Sequence, residues 1–245
     1  ALPETLTAIG YYALQNCANL YAVTLPASLQ TIGAHAFEAS NVQEAVLPAG
    51  LKTIGAYAFR KCSNITRVTL PDGLTTLGEG AFQQCEALVT ADLMNPMDIT
   101  SIPRYAFDGC SGLRNVYLPF FIEAVDDYAF RGCASLRQIQ FVAPTKTIGV
   151  YAFSGCRSLK SLNLPKSLET IGEYAFSGCQ AISVISSPSL VPPTIANESA
   201  LNGIDKDVCV LTMPKSVYLD YFRAPYWGQF VEYTASVLVG VDGQG

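Results

Sequence analysis

One short sequence recurs along almost the whole chain and limits what it can fold into. An Ala-Phe pair, replaced by Ala-Leu at both ends of the series, begins at Ala13, Ala36, Ala58, Ala81, Ala106, Ala129, Ala152, Ala175 and Ala200. Successive alanines are 23, 22, 23, 25, 23, 23, 23 and 25 residues apart. A fixed period in the twenties indicates a solenoid of short coils. Because one coil cannot bury its own apolar side, neighbouring coils must stack on it.

Other positions are fixed relative to the Ala-Phe pair. A cysteine follows three residues after the aromatic or leucine in seven coils, while Ser40 and Ile204 stand there in the other two. Next comes a Leu-x-x-Val-x-Leu-Pro segment, such as residues 113–119. Its alternation of apolar and polar residues predicts a half-buried strand, which the proline ends. The Ile-Gly pair that follows, such as Ile148-Gly149, provides a buried anchor and a permissive turn residue.

Taken together, these positions resemble the BspA-like type of leucine-rich repeat, also called the Treponema pallidum type. The resemblance extends over about residues 2–214, and residues 213–230 are similar to the closing segment common in that family. It implies a leucine-rich repeat solenoid of the α/β, β-rich class, curved and right-handed, with about nine repeats of 22–25 residues. A parallel sheet is expected on the concave face, and short helical or irregular Ala-Phe segments on the other.

The expected organisation is a solenoid over residues 1–206, a last strand and C-terminal cap over 207–234, and a tail over 235–245. The aromatic residues of 218–230 are expected to cover the open end of the core, because an exposed terminal coil would be an unpaired edge. The chain begins with Ala1-Leu2-Pro3 inside a repeat, so we expect further sequence upstream. The lack of a signal peptide therefore does not indicate a compartment.

Composition narrows the range of partners. Half of the residues are hydrophobic and only 14% are charged, so nearly every coil has apolar material to bury. The net charge of -5 disfavours nucleic acid as a partner, because phosphate binding needs clustered lysine and arginine. No apolar run approaches the roughly 20 residues that a membrane-spanning helix needs.

Seven of the 8 cysteines form one column at the repeat period. Stacked coils would place them about 4.8 Å apart, but their side chains would point the same way, which disfavours disulfides. The chain has a single histidine and no Cys-x-x-Cys pair, which disfavours a metal site. We therefore predict buried, reduced thiols that behave as small apolar residues.

The strand positions between the core residues are predicted to face outward and to form a short, polar and almost uncharged surface. They are Ala22, Thr24, Glu44, Val46, Arg67, Thr69, Thr90, Asp92, Asn115, Tyr117, Gln138, Gln140, Ser161, Asn163, Val184 and Ser186. Such a surface suits hydrogen bonding to a protein or a glycan, although simple solvation remains an alternative. Asn115, Gln138, Gln140 and Asn163 are the candidate contacts.

A local aromatic cluster is the sharpest candidate site. Phe120 and Phe121 replace the small or polar residues that follow the strand in other coils, and Tyr117 lies just before them. Met94 and Met97 come from the preceding coil, where the spacing grows by two residues. Exposed aromatic and methionine side chains are typical of contact surfaces. The alternative is that the phenylalanine pair folds down and fills a void beside the insertion.

A second aromatic column precedes the alanines, at Tyr12, Tyr57, Tyr105, Tyr128, Tyr151 and Tyr174. We interpret it as a structural ladder with packed rings and wet hydroxyls, the alternative being a binding stripe. His35 stands in the same column and is interpreted as a substitute for tyrosine. It lacks the nucleophile and orienting partner of a catalytic histidine.

The sequence therefore predicts no catalytic residue, metal site or cofactor. The resemblance implies an extracellular or cell-surface binding module of bacterial type, adhesin-like, monomeric and without enzymatic activity. Its expected partner is a host or neighbouring-cell protein or glycan. A structural spacer that displays another domain, without a ligand of its own, is the alternative.

Overall fold

A computed structural model describes residues 2–44, 46–141 and 144–236 as a solenoid of stacked coils. We number the coils one to nine by their Ala-Phe turns, from Ala13 to Ala200. In chain order the strands are β1 Ala8–Ile9, β2 Thr31–Ile32, β3 Thr53–Ile54, β4 Arg67–Thr69, β5 Thr76–Leu77, β6 Thr90–Asp92, β7 Ser101–Ile102, β8 Asn115–Tyr117, β9 Ala124–Val125, β10 Thr147–Ile148, β11 Ser161–Asn163, β12 Thr170–Ile171, β13 Val184–Ser186, β14 Thr194–Ile195, β15 Val210–Pro214 and β16 Tyr233–Ser236.

The strands of three or more residues form the long-strand face. It consists of a sheet in the order β4-β6-β8 and another in the order β11-β13-β15-β16, both parallel throughout. The predicted Leu-x-x-Val-x-Leu segments form β4, β6, β8, β11 and β13. β15 is the last strand expected within residues 207–234, and β16, which follows the cap, was not predicted. In β4 and β8 the middle residue is buried and its neighbours are exposed, as the alternation predicts.

The two-residue strands form a second parallel surface, the short-strand face. Its sheets have the orders β1-β2-β3-β5 and β7-β9-β10-β12-β14. From the sequence, the Ile-Gly positions are expected to provide only a buried anchor and a turn. Their isoleucines in fact pair from coil to coil, for example Ile148 with Ile171. A strand of two residues is too short to show an alternation, so the pattern did not reveal it.

The Ala-Phe segments form the third side of each coil: they are turns in coils one to eight, and in coil nine a single 3-10 turn, Glu198–Leu201. Their main chains are also joined from coil to coil. In coil five, the N–H of Phe107 donates to the carbonyl of Ala129 at 2.8 Å and the N–H of Gly109 donates to Arg131 at 2.7 Å. Equivalent bonds recur in the other coils, so the turn side is a continuous hydrogen-bonded ladder.

A column of stacked phenylalanines fills the middle of the solenoid. Its ring centroids lie between 5.1 and 5.6 Å apart with nearly parallel planes, and every member is fully buried. The column consists of Phe37, Phe59, Phe82, Phe107, Phe130, Phe153 and Phe176. Offset stacking at this distance adds to the apolar area that each ring buries.

The cysteine column lies beside the phenylalanines. The thiols of Cys62, Cys85, Cys110, Cys133, Cys156 and Cys179 are buried, and each donates to the carbonyl of a phenylalanine in the preceding coil at 3.0–3.3 Å. They are therefore buried as predicted, but they also act as hydrogen-bond donors. Cys17 is the exception: it is only half-buried, because coil one has a neighbouring coil on one side only.

The C-terminal end of the stack is closed by an aromatic cap. It contains the helix α1, Tyr218–Arg223, between single 3-10 turns at Lys215–Val217 and Trp227–Gln229. Tyr221 and Trp227 are buried. Tyr221 is hydrogen-bonded to the Ser187 hydroxyl at 2.7 Å, and the Trp227 indole donates to the Pro193 carbonyl at 2.7 Å. Residues 235–236, assigned above to a tail, belong to β16, and 237–245 lie outside the described residues.

The phenylalanine column predicts a large and position-specific loss of stability. Phe130→Ala should lower the free energy of unfolding by about 3–5 kcal/mol, because it removes a fully buried ring that stacks on both sides. Phe121→Ala is the matched control: this ring is exposed, so the change should stay within about 0.5 kcal/mol. Chemical denaturation of both variants measures the difference, and equal effects would contradict the column.

The cysteine column predicts destabilisation at alkaline pH. Burial raises the pKa of Cys62 from 9.0 to about 11, and burial likewise raises those of Cys85, Cys110, Cys133 and Cys156. The thiols lose their protons at lower pH in the unfolded chain than in the folded one. Their contribution to the free energy of unfolding is therefore complete below pH 9.0 and declines as the pH rises toward the folded pKa values, about 11 for Cys62. Each titrating thiol should lower the free energy of unfolding by up to about 1.4 kcal/mol per pH unit.

Unfolding titrations above neutral pH measure this decline, and Cys110→Ser is the control, because serine does not titrate in this range and Ser40 already occupies the column in coil two. In the variant, the slope of the free energy of unfolding against pH should be shallower by the equivalent of about one bound proton. If the slope were identical in both proteins, the buried thiol of Cys110 would not contribute to the loss of stability at alkaline pH.

Candidate functional site

The long-strand face is interrupted between coils five and six. Between coils four and five, the N–H of Arg114 donates to Val89 at 2.9 Å and the N–H of Leu93 donates to Tyr117 at 2.9 Å. Among the described residues, no main-chain hydrogen bond joins β8 to residues 138–140, the equivalent segment of coil six. That segment is connected only onward, by an isolated bridge from Gln140 to Asn163.

A groove of about 180 Å³ opens at this interruption. Its walls come from β8, the turn after it, the outward side of coil six and one residue of coil four. The lining residues are Met94, Asn115, Val116, Tyr117, Leu118, Phe120, Gln138 and Gln140. Six of the nine residues predicted as contacts from the sequence therefore lie around one cavity, although the sequence had not indicated that a cavity joins them.

Three of the predicted contacts lie outside the groove. Phe121 is 52% exposed, as is Phe120, but does not line the cavity, and Met97 is 67% exposed on the insertion. Asn163 is on the neighbouring strand, next to Gln140. The alternative that the phenylalanine pair folds down and fills a void is wrong, because about half of the surface of each residue is exposed.

The predicted outward positions are mostly accessible, with one correction. Thr90 is buried although its register places it on the outward side, in line with Arg67 and Asn115 of the flanking strands. Asp92, on the same strand, is half-buried. The polar surface is therefore interrupted at coil four, and its accessible amides are concentrated at coils five to seven.

The polar side chains of the groove have spare hydrogen-bonding capacity. No hydrogen bond from the side chain of Asn115, Gln138 or Gln140 to another described residue is present. An amide carries two donor hydrogens and an acceptor oxygen without net charge. No charged side chain lines the cavity. The site can therefore hold a neutral ligand with both donors and acceptors, next to exposed aromatic rings.

A second, larger groove of about 610 Å³ lies on the same face between coils two and four. Its lining includes the charged side chains of Glu44, Arg67 and Asp72 and an apolar part with Leu70 and Pro71. The sequence pattern does not predict this groove. The only available signal was Glu44 on the strand of coil two, which is uninformative without knowledge of the cavity.

The tyrosine column is arranged as the structural interpretation expected. Ring centroids of Tyr105, Tyr128, Tyr151 and Tyr174 are 4.6–5.1 Å apart. Their faces are covered by one another, which leaves mainly edges and hydroxyls accessible. The residues adopt left-handed backbone conformations, with φ of 55–60°, and Gly80 has the same conformation where the column lacks a ring. A stacked column offers little open ring surface to a ligand.

His35 occupies the tyrosine column in coil two. Its ring lies 4.6 Å from Tyr12 and 5.2 Å from Tyr57, and its Nδ1 is 2.7 Å from a carboxylate oxygen of Glu38. Burial acts to raise the pKa of Glu38, but hydrogen bonds from His35 and Gln15 outweigh it and hold the pKa below its usual value. No nucleophile takes part in this network, so it accounts for the histidine as a structural residue.

Over the described ranges, no group of three or more histidine, cysteine, aspartate or glutamate side chains is arranged to hold a metal ion. Within the same ranges, no helix has the length and apolar character needed to cross a bilayer. Two further grooves, of about 330 Å³ beside Asp126 and Asp127 and of about 450 Å³ beside Glu198 and Lys206, lie outside the long-strand face and contain none of the predicted contacts.

The sequence matches the family model of the BspA type leucine rich repeat region, over residues 1–114 and 91–199. None of the curated proteins matches the chain. Among solved structures, a leucine-rich repeat protein from Bacteroides ovatus is 27% identical, with a TM-score of 0.73 over 86% of this chain and 54% of its own.

Two further structures share the fold. A leucine-rich repeat protein from Eubacterium ventriosum is 24% identical, with a TM-score of 0.57 over 71% of this chain and 55% of its own. A leucine rich cell surface protein from Faecalibacterium prausnitzii is 22% identical, with a TM-score of 0.54 over 93% of this chain and 63% of its own. The chain thus spans between half and two thirds of the length of these proteins.

Proposed function

The chain belongs to the BspA-type leucine-rich repeat family, and on that premise we propose that it is a non-enzymatic binding module exposed at the cell surface or secreted. It recognises a protein or a glycan of a host or a neighbouring cell through its long-strand face. The observation that carries the proposal is the groove between coils five and six, where exposed aromatic rings and unpaired amides meet.

The aromatic residues around this groove lie outside the buried core of the solenoid. Tyr117, Phe120 and Phe121 are each about half exposed, at 48%, 52% and 52%. A solenoid of this kind is already held together by its buried columns, so three neighbouring exposed rings serve a contact better than they serve folding. Aromatic residues are enriched at the centre of protein interfaces, where a few side chains provide most of the affinity.

The location at the cell surface is supported by the related fold. The Faecalibacterium prausnitzii structure is that of a leucine rich cell surface protein. The low charge of the chain and the polar, neutral groove between coils five and six suit contact with a folded surface or a sugar rather than with nucleic acid.

A binding screen tests the proposal. The purified chain is tested for saturable binding to extracellular-matrix proteins and to a glycan panel, beside a variant with Tyr117→Ala, Phe120→Ala and Phe121→Ala. We expect the affinity to fall at least about tenfold in the variant, since removal of central aromatic contacts costs more than about 1 kcal/mol each. Because all three rings are exposed, the melting temperature should be unchanged.

A double variant with Tyr11→Ala and Tyr21→Ala is the matched control, because these rings are also exposed but lie in coil one. It should bind as the unmodified chain does. If the triple variant binds as well as the unmodified chain, the contact lies elsewhere on the surface. If neither protein binds any partner, the chain acts as a spacer between other parts of a longer protein.

A further inference from the structure

From the chemistry of the groove between coils five and six, we infer that its ligand is an uncharged carbohydrate, one ring of which enters the cavity. This inference rests on the proposed binding function and narrows it to one class of ligand. It combines four observations: the size of the cavity, its aromatic wall, its unpaired amides and the lack of charge in its lining.

The size of the cavity limits what can enter. At about 180 Å³ it is smaller than the roughly 300–1,000 Å³ of sites that enclose a drug-sized ligand. The space suits one ring-sized unit of a longer molecule, whose remainder lies outside on the open long-strand face. The partner is therefore held at one unit and extends over the surface.

The aromatic wall offers a flat apolar surface. Tyr117 and Phe120 line the cavity and are about half exposed, and the Met94 side chain lies on the coil-four side. The face of an aromatic ring carries partial negative charge, which attracts the polarised C–H groups on the apolar face of a sugar ring. Tyr117 also provides a hydroxyl that donates or accepts a hydrogen bond.

The amides supply the complementary polar contacts. Asn115, Gln138 and Gln140 line the same cavity and have no side-chain partner among the described residues. Together they offer donors and acceptors, which matches hydroxyl groups that are themselves both. An apolar side chain of a protein partner would cover these amides without satisfying them, at a cost of about 1–3 kcal/mol each. A ring of hydroxyl groups avoids that cost.

The interrupted strand pairing adds main-chain groups to the same place. By the register of coils four and five, the Leu118 N–H and the Gln140 carbonyl are the groups that would meet across the gap, and no hydrogen bond between them is present. Both residues line the groove. They are further neutral donors and acceptors for a ligand, in fixed positions on the scaffold.

The lack of charge in the lining excludes charged sugars as the preferred class. No lysine or arginine side chain lines this cavity to pair with a carboxylate or sulfate, and no aspartate or glutamate lines it to pair with an amine. The larger groove between coils two and four shows the contrast, since Glu44, Arg67 and Asp72 all line it. A neutral cavity binds without ion pairs, so its affinity should not depend on salt.

The inference is tested on a glycan array that holds neutral, sialylated and sulfated oligosaccharides, followed by calorimetric titration of the purified chain with the strongest neutral ligand. We expect binding of neutral glycans, with equal affinity at low and high salt. Phe120→Ala and Gln138→Leu should each weaken the titrated affinity about tenfold or more, because one removes the ring surface and the other an amide.

Phe222→Ala is the matched control. It removes the same side chain from the C-terminal cap, where the ring is 53% exposed and does not line the cavity. Its affinity should equal that of the unmodified chain, whereas equal losses in the Phe120→Ala and Phe222→Ala variants would overturn the inference, because the loss would then not come from the groove. Unchanged melting temperatures confirm that all variants are folded.

The outcome also separates this inference from the proposed function. Binding restricted to sialylated or sulfated glycans would overturn the neutral-sugar assignment. If no glycan on the array binds, but a matrix protein binds the chain and does not bind the triple variant, the carbohydrate is rejected as the ligand and the proposed binding function is retained. Silence of every partner would reject both.

Discussion

The stacked phenylalanine column is the interaction on which the rest of the solenoid depends. Neither sheet runs unbroken through the described coils: the short-strand face is divided between β5 and β7, and the long-strand face between β8 and β11. The phenylalanine rings cross both divisions at the same spacing, for example 5.6 Å from Phe82 to Phe107 and 5.4 Å from Phe107 to Phe130. The core column and the hydrogen-bonded turns beside it thus maintain the stack where strand pairing fails.

Because the core columns and the turns hold the coils together, the long-strand face can carry a binding site without loss of the fold. Burial of a phenylalanine in seven of the nine coils provides the hydrophobic stabilisation, and six cysteine thiols give a phenylalanine carbonyl of the preceding coil a second hydrogen bond. The Phe107 carbonyl, for example, accepts from the Cys110 N–H at 3.1 Å and from the Cys133 thiol at 3.2 Å. The long strands are then free to separate locally. Where coil six does not pair with β8, the separation exposes main-chain groups and creates the groove.

The sequence was informative wherever one position recurs in every coil. The phenylalanines and the cysteines could be predicted as buried because their period is visible over many copies. The Thr-Ile pairs were missed as a sheet, because two residues show no alternation. Phe120 and Phe121 stood out as departures from the repeat, yet nothing in the sequence distinguishes the ring that lines the groove from the one beside it. That difference depends on which side of the turn each ring leaves, and turn geometry was not predicted.

The same reasoning explains why the candidate site lies where the repeat is irregular. A side chain that points into the stack meets its counterparts in two neighbouring coils, so a change there disturbs three coils at once. An outward side chain such as Gln138 meets solvent, and its identity is not constrained by packing. The two-residue insertion that carries Met94 changes the spacing from 23 to 25 residues, and the extra length emerges on the outside beside β8. Side chains that bind a ligand can therefore differ from coil to coil on the long-strand face, while the buried positions of the core keep their repeat.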